Sequence, residues 1–126
     1  MAVPILKQGV FLIASVQAAM TDGDAVTLQD DLMAQVGRYR AKGVIVDVTM
    51  LDVMDSFAAR SFRTIAHMTR LRGAETVLVG IQPDVAFSMV QLGMTMEDVL
   101  TALDLEEGLE LLTHRTATTA LEPPVG

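Results

Sequence analysis

The chain of 126 residues contains no cysteine and no tryptophan. Without cysteine it can form no disulfide, no thiolate metal site and no cysteine nucleophile, which fits a reducing compartment. No apolar run approaches the roughly 20 residues of a membrane-spanning helix. The first residues also lack the basic segment and the apolar stretch of a signal peptide. We therefore expect a soluble, cytoplasmic protein.

Positive charge is scarce, because 9 Lys and Arg face 16 Asp and Glu and the net charge is −7. A protein that binds nucleic acid has to neutralise phosphates with cations. Anionic membrane surfaces likewise attract basic segments. The charge balance therefore predicts no nucleic-acid partner and no membrane partner.

Aliphatic residues and methionine are abundant, with 51% hydrophobic residues and 9 Met. A chain of this length has room for one domain with one core. Apolar, β-branched runs typical of strands alternate with helical patterns. The predicted strands are 3–6, 10–16, 44–48 and 76–81, and the predicted helices begin near Thr21, Asp55, Pro83 and Asp104. This alternation predicts an α/β domain in which helices pack on a mixed sheet.

Three helix ends carry recognisable signals. The oxygen-bearing side chains around Thr21 can cap the first helix. Gly43 is expected to end that helix in the left-handed conformation that glycine adopts at low cost. Asp55 is expected to cap the second helix, which runs to about Arg72.

The segment 46–57 places acidic residues in a loop between a strand and a helix, and Ser56 stands at the start of that helix. A helix N-terminus favours phosphate, so Ser56 is a candidate phosphorylation site. The alternative is a helix cap at Asp55 beside an ordinary serine. The spacing of the residues alone favours the second interpretation.

Asp47, Asp52 and Asp55 raise another hypothesis. Clustered carboxylates can hold Mg²⁺ and accept a phosphoryl group, as in response-regulator receivers. Receivers carry an acidic pair after the first strand and a lysine after the last strand. The two lysines here, Lys7 and Lys42, do not stand in that position. A solvated loop with a helix cap is favoured over a receiver-like site.

The sequence contains no motif typical of a hydrolase or of a nucleotide-binding enzyme. Ser56 does not lie in a G-x-S-x-G elbow, and the chain has no glycine-rich phosphate loop. The two histidines, His67 and His114, fall on predicted helix surfaces. The sequence therefore predicts a protein that is not an enzyme, with no catalytic residue, no metal ion and no cofactor.

A basic stripe lies on one face of the second predicted helix and consists of Arg60, Arg63, His67 and Arg70. The stripe is either a solvated face whose charges suit the C-terminal end of the helix or a face that binds a partner. If it binds a partner, Met54 and Phe57 near Ser56 would supply apolar anchors.

Several stretches of the sequence resemble the STAS-domain anti-anti-sigma family, and in particular its RsbS-type stressosome scaffolds. The combination of Asp55-Ser56-Phe57 with Gly80-Ile81-Gln82-Pro83 is the most specific part of the resemblance. The matching stretches are 28–32, 43–49, 54–57, 73–74, 77–83 and 101–106.

The resemblance implies one STAS domain over residues 1–115, with a mixed β-sheet flanked by helices. The stretch 116–126 falls outside the resemblance, and its Thr-, Ala- and Pro-rich composition predicts a flexible tail. It implies that Ser56 is phosphorylated. The predicted partner-binding residues are Met54, Asp55, Phe57, Arg60 and Arg63.

The resemblance also implies partners. An RsbT-type switch serine kinase would be held by the unphosphorylated protein and released when Ser56 is phosphorylated. RsbR-type STAS sensor paralogues would assemble with the chain, which would itself form at least a dimer. Two alternatives stay open: an anti-sigma factor antagonist that binds an anti-sigma kinase directly, and a receiver-like protein phosphorylated on aspartate.

Overall fold

The computed structural model describes residues 3–17, 19–94 and 99–121, with side chains described as far as Thr116. A single sheet has the strand order β1-β2-β3-β4-β5. Strand β1 pairs antiparallel with β2, and the other neighbours pair in parallel. The strands are β1 Ile5–Gln8, β2 Phe11–Ser15, β3 Gly43–Asp47, β4 Glu75–Val79 and β5 Leu100–Ala102. The predicted mixed α/β sheet is confirmed.

Four helices are described, and each follows a strand of the parallel part of the sheet. They are α1 Asp22–Tyr39, α2 Ser56–Leu71, α3 Pro83–Gln91 and α4 Leu105–Leu121. Each helix therefore begins where the parallel strands end, and we call that side of the molecule the carboxyl edge. The side where the parallel strands begin is called the amino edge.

The alternation of side chains along each strand divides the core into two layers. One layer joins strand residues such as Leu12 and Val46 to α1, α2 and α3. The other joins Ile13, Ile45 and Val77 to α4. Strands β3 and β4 are buried on both faces, which explains their nearly continuous apolar sequence.

The end of α1 differs from the prediction. Arg40, not Gly43, takes the left-handed conformation at the C-cap, with φ of 50°, and its backbone N–H donates to the carbonyl of Val36. Gly43 begins β3 instead, where a Cβ atom would lie 2.8 Å from Leu112 Cδ1. Glycine is needed at this position because α4 packs closely on the sheet.

Two features near the C-terminus were not predicted. Strand β5 has three residues, two of them half-buried, and so short a run gives no clear periodic signal. Helix α4 continues to Leu121, so the predicted boundary at residue 115 falls inside a helix. The rest of the predicted tail, 122–126, lies outside the described residues.

Candidate functional site

The loop that leads to Ser56 begins with a tight turn after β3. Asp47 Oδ1 accepts hydrogen bonds from the backbone N–H of Thr49 at 2.9 Å and from its hydroxyl at 2.6 Å. A side-chain carboxylate that bonds the backbone two residues on stabilises such a turn. Asp47 therefore shapes the first part of the loop.

The turn between β4 and α3 holds the same loop from the other side. Gln82 Nε2 donates to the carbonyl oxygen of Thr49 at 2.7 Å. Gly80 has φ of 74°, and a Cβ atom there would lie 3.2 Å from Thr49 Cα and collide with the Thr49 side chain. Pro83 then occupies the first turn of α3, a position that tolerates proline. The Gly-Ile-Gln-Pro segment thus supports the Ser56 loop.

Asp55 caps α2 and places Ser56 as the first helical residue. The Asp55 side chain accepts a hydrogen bond from the backbone N–H of Ala58 at 2.7 Å. Ser56 is exposed to solvent. Backbone N–H groups in the first turn of a helix have no partner within the helix, so this end attracts anions. An accessible hydroxyl therefore stands at a helix terminus that can accommodate phosphate.

The exposed apolar residues near Ser56 differ from the predicted anchors Met54 and Phe57. Met54 is 4% exposed and packs in the core, so its side chain is not available for direct contact with a partner in this conformation. Phe57 is half-buried. Met50 and Val53, which were not singled out, are 59% and 70% exposed in the same loop.

No signal in the sequence distinguishes these residues, because Met50, Leu51, Val53 and Met54 are all apolar. The structure turns Leu51 and Met54 inward, at 1% and 4% exposure, while Met50 and Val53 face solvent. Asp47 bonds Thr49 within this loop, and Gln82, 33 residues further along the chain, also bonds Thr49, so part of what shapes the loop is tertiary and cannot be read locally.

The basic stripe of α2 does not form one site with Ser56. Arg60 is exposed, and Arg63 is half-buried, with an Nε atom that has no hydrogen-bond partner among the described residues. Arg70 follows Ser56 by about 20 Å along the helix at 1.5 Å per residue. His67 and Arg70 are exposed. Only the first half of the stripe lies within reach of a partner bound at Ser56.

Two of the three aspartates of the receiver-like alternative have structural roles. Asp47 bonds Thr49, and Asp55 caps α2. In the part of the chain that the structure describes, no three His, Cys, Asp or Glu side chains group together in a way that could hold a metal ion.

A comparison with protein-family models matches the STAS domain over residues 2–108. The chain belongs to the STAS-domain family. The family resemblance stated from the sequence is confirmed. Within residues 3–17, 19–94 and 99–121, no helix has the length and apolar character that crossing a bilayer requires.

Curated relatives of this STAS domain include RsbT co-antagonist proteins of Bacillus subtilis (strain 168). The RsbT co-antagonist protein RsbRA of Bacillus subtilis (strain 168) is 29% identical over 92 residues, which are 73% of this chain and 34% of RsbRA. The chain thus spans about a third of the length of the RsbR relatives that it matches.

Two solved structures support the likeness to RsbS-type stressosome proteins. RsbS from Moorella thermoacetica, solved as a variant with a serine replaced by glutamate, has a TM-score of 0.82 and 29% identity, covering 91% of this chain and 97% of that chain. A chain from the molecular architecture of the stressosome has a TM-score of 0.76 and 28% identity, with 90% and 98% covered. The predicted RsbS-type resemblance is confirmed at the level of sequence and fold.

Proposed function

We propose that this STAS domain is a cytoplasmic stressosome scaffold without enzymatic activity of its own, which sequesters an RsbT-type switch serine kinase and releases it when Ser56 is phosphorylated. The observation that carries the proposal is the exposed Ser56 at the N-terminus of α2, on a loop held by Asp47 and Gln82. A kinase substrate needs an accessible hydroxyl, and a switch needs a defined surface that the phosphate changes.

The chemistry of the surface explains how phosphate would release a partner. Met50 and Val53 offer apolar area next to Ser56, while Asp52 and Asp55 already make this corner negative. Phosphorylation adds about −1.5 to −2 charges. A partner that covers the exposed apolar side chains would have to desolvate this charge beside two carboxylates, which weakens the contact.

The predicted contact residues divide into two groups under this proposal. Asp55, Phe57, Arg60 and Arg63 surround Ser56 on the first half of α2 and remain proposed partner contacts. Met54 is buried, so it would support the loop from within the core. Met50 and Val53, which are exposed in the same loop, are the proposed apolar contacts with the partner.

We also propose that the chain self-associates and assembles with RsbR-type STAS sensor paralogues. The sequence relation to RsbRA and the fold shared with a stressosome component support this part of the proposal. Sedimentation velocity of the chain alone and mixed with an RsbR-type protein tests it. A single monomeric species that the second protein leaves unchanged would contradict the assembly.

The phosphorylation itself is tested with the cognate switch kinase and ATP, followed by mapping of the phosphate by mass spectrometry. Ser56→Ala should abolish the label, whereas Ser88→Ala, which changes a half-buried serine on α3, should retain it. Undiminished label in Ser56→Ala would overturn the proposal. Label on an aspartate, which hydroxylamine removes, would instead favour the receiver-like alternative.

A further inference from the structure

Met50 differs from the other methionines of the chain in its exposure. Met1 and Met96 lie outside the described residues. Among the described methionines, Met50 is the only one with an exposed side chain, and it is 59% exposed. The other described methionines are buried or half-buried; they are Met20, Met33, Met54, Met68, Met89 and Met94. A reagent in solution therefore meets Met50 first among them.

The contrast is sharpest between Met50 and Met54, because both lie in the loop before α2. The side chain of Met54 packs in the core at 4% exposure, whereas that of Met50 faces solvent. The carbonyl oxygen of Thr49, the residue before Met50, accepts a hydrogen bond from Gln82 Nε2 at 2.7 Å. The backbone beside Met50 is therefore anchored, and its exposure belongs to a loop with a defined conformation.

An exposed thioether reacts with hydrogen peroxide to give methionine sulfoxide. The sulfur lone pair attacks one peroxide oxygen, and the S–O bond forms while the O–O bond breaks. The departing hydroxide takes the proton of the transferred oxygen and leaves as water. The sulfur is oxidised by two electrons and the peroxide is reduced. Because the chain contains no cysteine, no thiol of its own competes with Met50 for the oxidant.

The charges around Met50 favour an uncharged oxidant. Asp52 and Asp55 are exposed in the same loop, and Asp84 is exposed in the first turn of α3, directly after the turn that carries Gln82. Carboxylates repel an anionic oxidant, whereas hydrogen peroxide is uncharged at neutral pH. The acidic surroundings therefore do not hinder the approach of peroxide to the Met50 sulfur.

We infer that Met50 is a site of reversible oxidation by hydrogen peroxide, and that its sulfoxide weakens the hold of this loop on the kinase. The inference rests on the proposed function, in which Met50 and Val53 are apolar contacts with the kinase. Oxidation turns a flexible apolar side chain into a polar one, and sulfoxide reductases reverse the change. A polar group that is covered without a hydrogen-bond partner opposes the contact. The sulfoxide thus acts on the same surface as phosphate on Ser56, without adding charge.

The first measurement needs no kinase. The protein is treated briefly with hydrogen peroxide, catalase removes the excess, and tryptic peptides are mapped by mass spectrometry. Cleavage after Lys42 and Arg60 gives the peptide 43–60, which contains both Met50 and Met54, so the buried methionine is an internal control. Met50 should be oxidised at least roughly tenfold faster, because Met54 reacts only when local opening uncovers it. Equal rates for the two methionines would overturn the inference.

Retention of an RsbT-type kinase measures the effect on the contact. The treated protein, freed of peroxide, is immobilised, and kinase that has not met the oxidant is applied. Oxidised wild type should bind the kinase at least roughly fivefold more weakly than untreated protein. Met50→Leu keeps the apolar volume and should bind equally well before and after peroxide. Met33→Leu, which removes a half-buried methionine on α1, is the matched control and should stay sensitive.

Met50→Gln places an uncharged polar side chain at the same position and should weaken retention without any oxidant, and thermal unfolding verifies that each variant is folded. Sulfoxide reductases should restore retention by the oxidised wild type. Retention that peroxide leaves unchanged, or an equal loss in wild type and Met50→Leu, would contradict the role of Met50 alone. Untreated wild type that retains no kinase would instead contradict the proposed function, and the effect of oxidation on the contact would fall with it.

Discussion

The two edges of the sheet are built in different ways, although the same strands and helices end at both. At the carboxyl edge, side chains hold the backbone in place: Asp47 and Gln82 bond Thr49, and Asp55 bonds Ala58. At the amino edge the prominent side chains are exposed cations around Tyr39 and Leu71. The carboxyl edge is therefore held by specific side-chain hydrogen bonds, whereas the amino edge presents exposed positive charge.

This difference determines which substitutions each edge tolerates. A change of one methyl group can displace a loop that is held by hydrogen bonds of 2.7–2.9 Å. A surface that acts through long-range charge accepts any side chain of the same sign. The following predictions test that distinction, beginning with the largest effect.

Alanine at two glycines with similar positive φ angles compares the edges directly. Gly80 has φ of 74° and Gly73 has φ of 83°, but an added Cβ collides with Thr49 only at Gly80. Gly73→Ala should cost about 1–2 kcal/mol, the usual penalty for the left-handed region. Gly80→Ala should cost at least about 1 kcal/mol more, because overpacking adds to that penalty.

Urea unfolding measures both variants. Adding Thr49→Ala to Gly80→Ala should recover part of the difference, since it removes the side chain that the new Cβ meets. Equal free energies of unfolding for the two alanine variants would show that the close approach of Gly80 to Thr49 does not limit the side chain at this position.

Gln82 tests the carboxyl edge by removing one hydrogen bond. Gln82→Ala should reduce the free energy of unfolding by about 0.5–1.5 kcal/mol. It should also speed amide hydrogen exchange in residues 49–55, because the loop loses its link to the β4–α3 turn. Gln91→Ala, at the exposed end of α3, is the matched control. Unchanged exchange in Gln82→Ala would mean that other contacts hold the loop.

The smallest effect is expected at the start of α1. The backbone N–H of Thr21 bonds the Asp24 carboxylate and lowers its pKa below the ordinary value of 3.8. A carboxyl group with a lowered folded-state pKa stabilises the fold above its unfolded-state pKa, and this stabilisation is lost as the pH falls through the folded-state pKa.

Asp24→Asn should therefore be less stable than the wild type near neutral pH and should approach it in acid. Urea unfolding over a pH series compares the two proteins. A stability difference that stays constant through the acidic range would show that the Asp24 charge does not contribute.

Much of the fold could be predicted from local signals. The apolar runs 44–48 and 76–81 predicted buried strands, and Asp55 predicted the start of α2. These signals suffice because strand burial and helix capping depend on a few neighbouring residues. Gly43 was misinterpreted because its reason is the approach of Leu112 from α4, far along the chain.

The candidate site could be predicted only in part. The strand-to-helix turn and the position of Ser56 followed from the sequence, and the structure places them as expected. The exposed pair Met50 and Val53 could not be told from the buried Met54, because the loop between strand and helix has no regular period. The grouping of exposed cations at the amino edge likewise emerges only when the topology brings together residues scattered from Lys7 to Arg115.

The central claim is that phosphate on Ser56 releases a bound kinase, and the most direct measurement is retention of an RsbT-type kinase on a column of the immobilised STAS domain. The unmodified protein and Ser56→Ala should retain the kinase, the protein phosphorylated on Ser56 should not, and Ser56→Asp should fall between them because it carries less charge than phosphate. Equal retention by the unmodified, phosphorylated, Ala and Asp forms would contradict the account.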